Sequence, residues 1–172
     1  ILQKVKSKEY YASPLAKTTE TTKEVLYEWN NPIIGEYNFG VDSTILVKNA
    51  IVIVDEKVKF PLEDLNIGYT EPTEFIDITP EIKDLAESLA DREDDLYVVS
   101  TKVAEWVEKN IQYDLTTLTA DAVQKSSWVL EHRAGVCDEL TNLFISMMRS
   151  LGVPARFVSG VAYTNQGNRW GP

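Results

Sequence analysis

The chain has 172 residues, 44% of them hydrophobic and 26% charged, which suits one domain or two small ones and is too apolar for a disordered chain. Its 17 basic against 27 acidic side chains leave a net charge of −10, which argues against a nucleic-acid backbone or an anionic membrane surface as the main partner. One Cys and one His exclude an internal disulfide framework, a Cys-rich zinc site and any self-contained site needing two imidazoles.

In chain order, the first 75 or so residues read as β-rich. Val25, Tyr27 and Trp29 alternate on one face of a strand, as do Tyr37, Phe39 and Val41, followed by Ile45, Val47 and the apolar run Ala50 to Val54. That run is far short of the roughly 20 residues that span a bilayer. Asn30-Asn31-Pro32 and Asp55-Glu56-Lys57 supply turn chemistry. The exposed aromatic faces of these strands need covering.

From Thr79 the period becomes helical, so the division is read as a β-rich region over 1–78 and a second region over 79–172. Thr79 predicts an N-cap with Pro80 at the first helical position, and Ile82, Leu85, Ala86 and Leu89 follow at i, i+3, i+4 and i+7. The acidic knot Asp91 to Asp95 ends that helix and caps the next, whose stripe is Leu96, Val99, Val103 and Trp106. Residues 112–126 read as a long Thr-rich surface loop, and Ser127 as the cap of a short helix ending near Gly135.

The clearest helix follows Cys137. Leu140, Leu143, Phe144, Met147, Met148 and Leu151 form one continuous stripe, Gly152 terminates it and Pro154 prevents continuation. Ala155 to Tyr163 reads as a strand, with Gly160 at a bulge or close backbone approach. Cys137 therefore falls in a helix's first turn, where unpaired N–H groups and the helix dipole favour an anion. Gly135 removes a side chain that would block approach to the sulfur, while the negative charges of Asp138 and Glu139 work against the dipole. From spacing alone, Cys137 is either a nucleophile or a small inert core residue; a nucleophile needs a paired imidazole. His132 lies five residues before Cys137, on the wrong side of it, and reads as exposed or locally bonded. Arg156 reads as a solvated or structural ion pair rather than a carboxylate-binding group.

Arg133-Ala134-Gly135-Val136-Cys137-Asp138-Glu139, then Leu143-Phe144, then Arg149-Ser150-Leu151-Gly152-Val153-Pro154-Ala155-Arg156, then Val158-Ser159-Gly160, resembles the core of the transglutaminase-like superfamily. Trp106-Val107 and Asn110 to Asp114 resemble its lead-in helix and loop. The resemblance covers roughly residues 95–172 and implies an α+β, papain-like core preceded by the β-rich N-terminal region. It implies that Cys137 is the nucleophile of a Cys-His-Asp triad acting on amide bonds of a protein or peptide substrate, without metal or organic cofactor. In that family the His and Asp lie on later strands, so this chain reads as a segment lacking both and inactive alone. The rival reading is a non-catalytic binding or scaffold module on the same fold. No nucleic-acid partner is expected. Oligomeric state, membrane association and localisation are left open, an extracytoplasmic or membrane-anchored placement being among the options.

Overall fold

The computed structural model describes residues 2–22, 24–48, 53–63, 68–117, 123–160, 162–164 and 169–171. It divides into two compact units, Ile1–Val54 and Asp55–Pro172.

In the first unit, β1 (Leu2–Ser13) pairs antiparallel with β4 (Asn38–Lys48), and β2 (Lys17–Glu20) with β3 (Val25–Glu28). The register of the long ribbon slips once, between Val5 opposite Ile45 and Ser7 opposite Thr44, leaving Lys6 as the extra residue. That bulge changes which alternate residues of β1 share a face. Val5 before it, and Tyr10 and Ala12 after it, all come to lie opposite the odd-numbered apolar residues Ile45, Val41 and Phe39. The aromatic faces cover one another. Trp29 packs edge-on to Tyr37 and Phe39 at 5.2 and 5.4 Å between ring centres, and Tyr27 lies 5.1 Å from Phe39. The Trp29 indole N–H donates to the Pro14 carbonyl at 2.8 Å, and the Tyr27 hydroxyl donates to that of Gly40. Most of the run Ala50 to Val54 lies outside the described residues; Ile53 and Val54 are exposed and in no strand.

In the second unit, α1 (Pro80–Ala90) and α2 (Leu96–Asn110) start where their caps require: Thr79 Oγ1 accepts from the Ile82 N–H at 3.4 Å and Asp95 Oδ1 from that of Tyr97 at 2.9 Å. Both helices pack on α4 (Cys137–Ser150), as does α3 (Ser126–His132). Ile82, Val99, Val103, Val129, Leu143 and Met147 are fully buried where these helices meet. The period change near residue 78 marks where the helices begin; the compact unit already includes the preceding segment. There, Phe60 enters the core, and its N–H donates to the Asp94 carbonyl at 3.0 Å.

Three sequence expectations need correction. Ser127 is not the cap of α3: it lies inside the helix, and its N–H is received at 3.0 Å by Asp77 Oδ1, from 50 residues upstream. Residues 112–126 are not simply a surface loop, because β5 (Gln112–Tyr113) pairs parallel with β6 (Ala134–Gly135). Residues 155–160 form no strand; β7 is only Ala162–Thr164, paired with β8 (Arg169–Gly171), and nothing lies close to where a Gly160 side chain would stand. The backbone after Pro154 finds no strand partner among the described residues until Ala162.

The end of α4 is as expected. Gly152 adopts φ +75°, its N–H returns to the Arg149 carbonyl at 2.9 Å, and the Val153 N–H returns to that of Met148 at 3.0 Å.

Candidate active site

Cys137 is the first residue of α4 and its side chain is exposed. The turn that carries it is tied down from two directions. On one side β5 holds the backbone just before the Cys: Tyr113 pairs with Gly135, the Gln112 N–H donates to the Arg133 carbonyl at 2.8 Å, and the Asp114 N–H to that of Gly135 at 3.0 Å. On the other side is Glu139, only 3% exposed. Its Oε2 accepts from the Val136 N–H at 2.7 Å and its Oε1 from the Gln124 N–H at 3.2 Å. Gly135 is required between these two ties, since a Cβ there would stand 2.9 Å from Glu139 Cβ and 3.3 Å from Leu140 Cδ1.

The N-cap residue is Val136, with no acceptor in its side chain, so only the returning half of a capping box exists. The first intrahelical bond is the Leu140 N–H to the Val136 carbonyl at 3.0 Å. Among the described residues, the N–H groups of Cys137 and Asp138 therefore have neither a carbonyl of the preceding turn nor a capping side chain. Asp138 Oδ1 is 3.5 Å from Cys137 Sγ, and the Thr141 hydroxyl donates to the Cys137 carbonyl at 2.6 Å.

His132 is not joined to this group. It stacks on Trp128 with ring centres 4.1 Å apart, and its Nδ1 is 3.0 Å from the Trp128 carbonyl oxygen. The local bonding expected for it is what the structure shows. Arg133, in the left-handed region at φ 56°, ends α3 and lays its guanidinium 4.8 Å from the Trp106 ring centre. Arg156 is exposed and makes no ion pair among the described residues.

A groove of about 490 Å³ runs between α2 and α4, floored by Val107, Ile111, Leu140 and Phe144, with Tyr113 and Thr141 among its walls. Leu140, Thr141 and Phe144 follow Cys137 at i+3, i+4 and i+7, so the groove lies on the helix face that carries the sulfur, although Cys137 itself does not line it. A larger cavity of about 620 Å³ between α1 and α3 includes neither Cys137 nor any residue of α4. Among the described residues no group of three or more His, Cys, Asp or Glu side chains converges to hold a metal. None of the described helices is long and apolar enough to cross a membrane.

Two site-supporting residues escaped the sequence reading. Glu139 looked like one more charge in an acidic first turn, yet it is buried; its place three residues after the N-cap was the available signal. Arg149, 7% exposed, donates from Nε to the Ala155 carbonyl at 2.9 Å and from a terminal nitrogen to that of Glu71 at 2.6 Å, fixing the chain after α4.

An exposed thiol heading the core helix of an α+β unit defines a papain-type arrangement. The comparisons agree with that class. The family model of the transglutaminase-like superfamily matches residues 83–171, and the chain belongs to that superfamily. A solved structure of a proposed cysteine protease from Cytophaga hutchinsonii shares the fold, with a TM-score of 0.68 at 16% identity, over 98% of this chain and 60% of that one. The present chain thus spans about 60% of the length of that neighbour. No curated protein matches it.

Proposed function

We propose that Cys137 is the nucleophile of a thiol-dependent acyl transfer on amide bonds of protein or peptide substrates. The observation that carries this reading is the exposed Cys137 at the start of a helix packed in the core, whose first N–H groups have no partner among the described residues. In the proposed sequence Sγ adds to the amide carbonyl, and the developing oxyanion accepts from the Cys137 N–H. Collapse breaks the C–N bond, the amine leaves with a proton, and a thioester remains. Water then gives an acid, as in a protease or amidase; an amine would give a new amide. We favour hydrolysis.

The proton must be taken from the thiol and returned to the amine by an imidazole. The chain has one His, and that ring is engaged with Trp128 on α3. Residues 1–172 alone are therefore proposed to be inactive, with the His and Asp supplied by further sequence. The test measures hydrolysis and amine incorporation on peptide and glutamine substrates. It compares residues 1–172 with the protein expressed from its whole reading frame. Turnover is expected only in the longer form and is expected to vanish with Cys137→Ala. Equal turnover in both forms, or survival of the alanine variant, would refute the thiol-triad reading. A longer form with no turnover on any substrate would favour the non-catalytic scaffold.

A further inference from the structure

We infer that Glu139 is a positioning residue for Cys137, holding the nucleophile's turn against the returning segment at Gln124; this rests on Cys137 being the nucleophile. A carboxylate 3% exposed is costly to bury, and no cation pairs with it among the described residues. An apolar side chain would fill the same space at lower cost. What an apolar side chain could not do is accept two backbone N–H groups at once, Val136 at 2.7 Å and Gln124 at 3.2 Å. One of these immediately precedes Cys137; the other belongs to a segment 15 residues away from Glu139 in sequence.

The bridge sets two things at the sulfur. It satisfies the Val136 N–H inside the protein, while those of Cys137 and Asp138, in the turn that carries Sγ, have no partner among the described residues. It also fixes the distance between the start of α4 and the chain at Gln124. The close approach of Gly135 to Glu139 Cβ leaves that turn little room to settle elsewhere.

Position and charge make opposite demands, which gives a clean test. If Glu139 acted only as a nearby negative charge, Glu139→Gln would speed attack by the thiol, and Glu139→Asp, which keeps the charge, would leave the rate unchanged. If it acts by position, both variants lose the bridge: the Gln amide turns a donor toward one N–H, and Asp is a methylene short. Iodoacetamide alkylation of Cys137 in residues 1–172, followed by mass spectrometry well below the melting point of every variant, is then expected to slow by about threefold or more in both. Gln124→Pro, which removes one donor and leaves the carboxylate, is expected to slow it too, and serves if the Glu139 variants fold poorly. Faster alkylation in Glu139→Gln, or unchanged alkylation in Gln124→Pro, would overturn the inference. Turnover by the whole protein that survives Cys137→Ala would instead overturn the nucleophile reading, with the alkylation comparison still standing.

Discussion

Gly135→Ala puts the packing around the thiol to a quantitative test. Gly135 is buried, and an added methyl would stand 2.9 Å from Glu139 Cβ and 3.3 Å from Leu140 Cδ1. Leu140 can rotate away, but Glu139 Cβ is fixed by the helix backbone. Relief must come from the β6 backbone, which is held by the Gly135 pairing to Tyr113 and by the Asp114 N–H at 3.0 Å. Overpacking of this kind costs about 1–3 kcal/mol. The smaller conformational freedom of Ala in the unfolded chain returns about 0.4–1 kcal/mol. The net loss is then centred on about 1.3 kcal/mol, within a range of about 0–2.6 kcal/mol, or a fall of about 3–5 °C in Tm at the centre for a chain of this size. Gly160→Ala is the internal control: nothing lies within 4 Å of the added methyl and the backbone is not in the left-handed region. Only the unfolded-state gain applies there, so Tm is expected to hold or rise slightly. Thermal melts and urea titrations of both variants read the difference. A Gly135→Ala protein that melts at or above the parent would refute the close approach.

Arg149→Met is expected to cost about 2–4 kcal/mol, because the carbonyls of Glu71 and Ala155 lose a buried donor; urea unfolding measures it, and a cost below about 1 kcal/mol would count against the clamp. Hydrogen bonds from Lys8, Lys57 and Lys109 hold Glu20, Asp94 and Glu105 below the ordinary carboxylate range. Their contribution is full above the unfolded pKa of about 4 and is lost as pH falls through the lower folded values. Because the pairs are exposed the effect is small; Tm is expected to decline below about pH 4 and to do so less in 1 M salt, whereas a flat profile would contradict it. Val136→Thr, nearly isosteric, offers α4 the capping hydroxyl it lacks, and is expected to slow Cys137 alkylation by drawing off the Asp138 N–H; an unchanged rate would count against a role for that group.

What the sequence made legible follows from how local each signal is. The starts of α1 and α2 were readable because Thr79 and Asp95 cap within their own turns, and the terminus of α4 because Gly152 adopts a conformation that suits glycine. β1 was missed for a local reason too: the bulge at Lys6 changes the alternation midway, so no single period of two runs through residues 2–13. β5 and β6 have two residues each and exist only through one another, which no window over either could show. The cap of α3 comes from Asp77, 50 residues before its N–H donor, so Ser127 took a role that a distant side chain fills. At the site, residue type and helix position placed Cys137 in the first turn of α4, where the structure has it, but left its role open between a nucleophile and an inert residue. The burial of Glu139 was not readable, because acidity in a first turn suits a solvated side chain and an inward one alike.

The three longest helices differ at one place that bears on chemistry. α1 and α2 begin on Thr79 and Asp95, whose side chains take up N–H groups of the first turn. α4 begins on Val136, 4% exposed, with nothing to offer those groups. A Ser, Thr, Asp or Asn cap is typically worth about 1 kcal/mol to a helix. α4 forgoes that stabilisation at the helix whose first residue is the exposed thiol. Its stability comes instead from the other end and from its flanks: Leu143 and Met147 fully buried, Gly152 and Val153 closing the last turn, and Glu139 recovering the Val136 N–H from inside the protein. Because the buried apolar stripe of α4 lies beyond its first turn, the helix can begin without a capping side chain and not loosen the fold. The same division explains why Glu139 rather than a cap residue secures the start of α4. A side chain acting from the buried side ties the backbone down and leaves the Cys137 side chain exposed, the side on which the proposed reaction would receive a carbonyl oxygen.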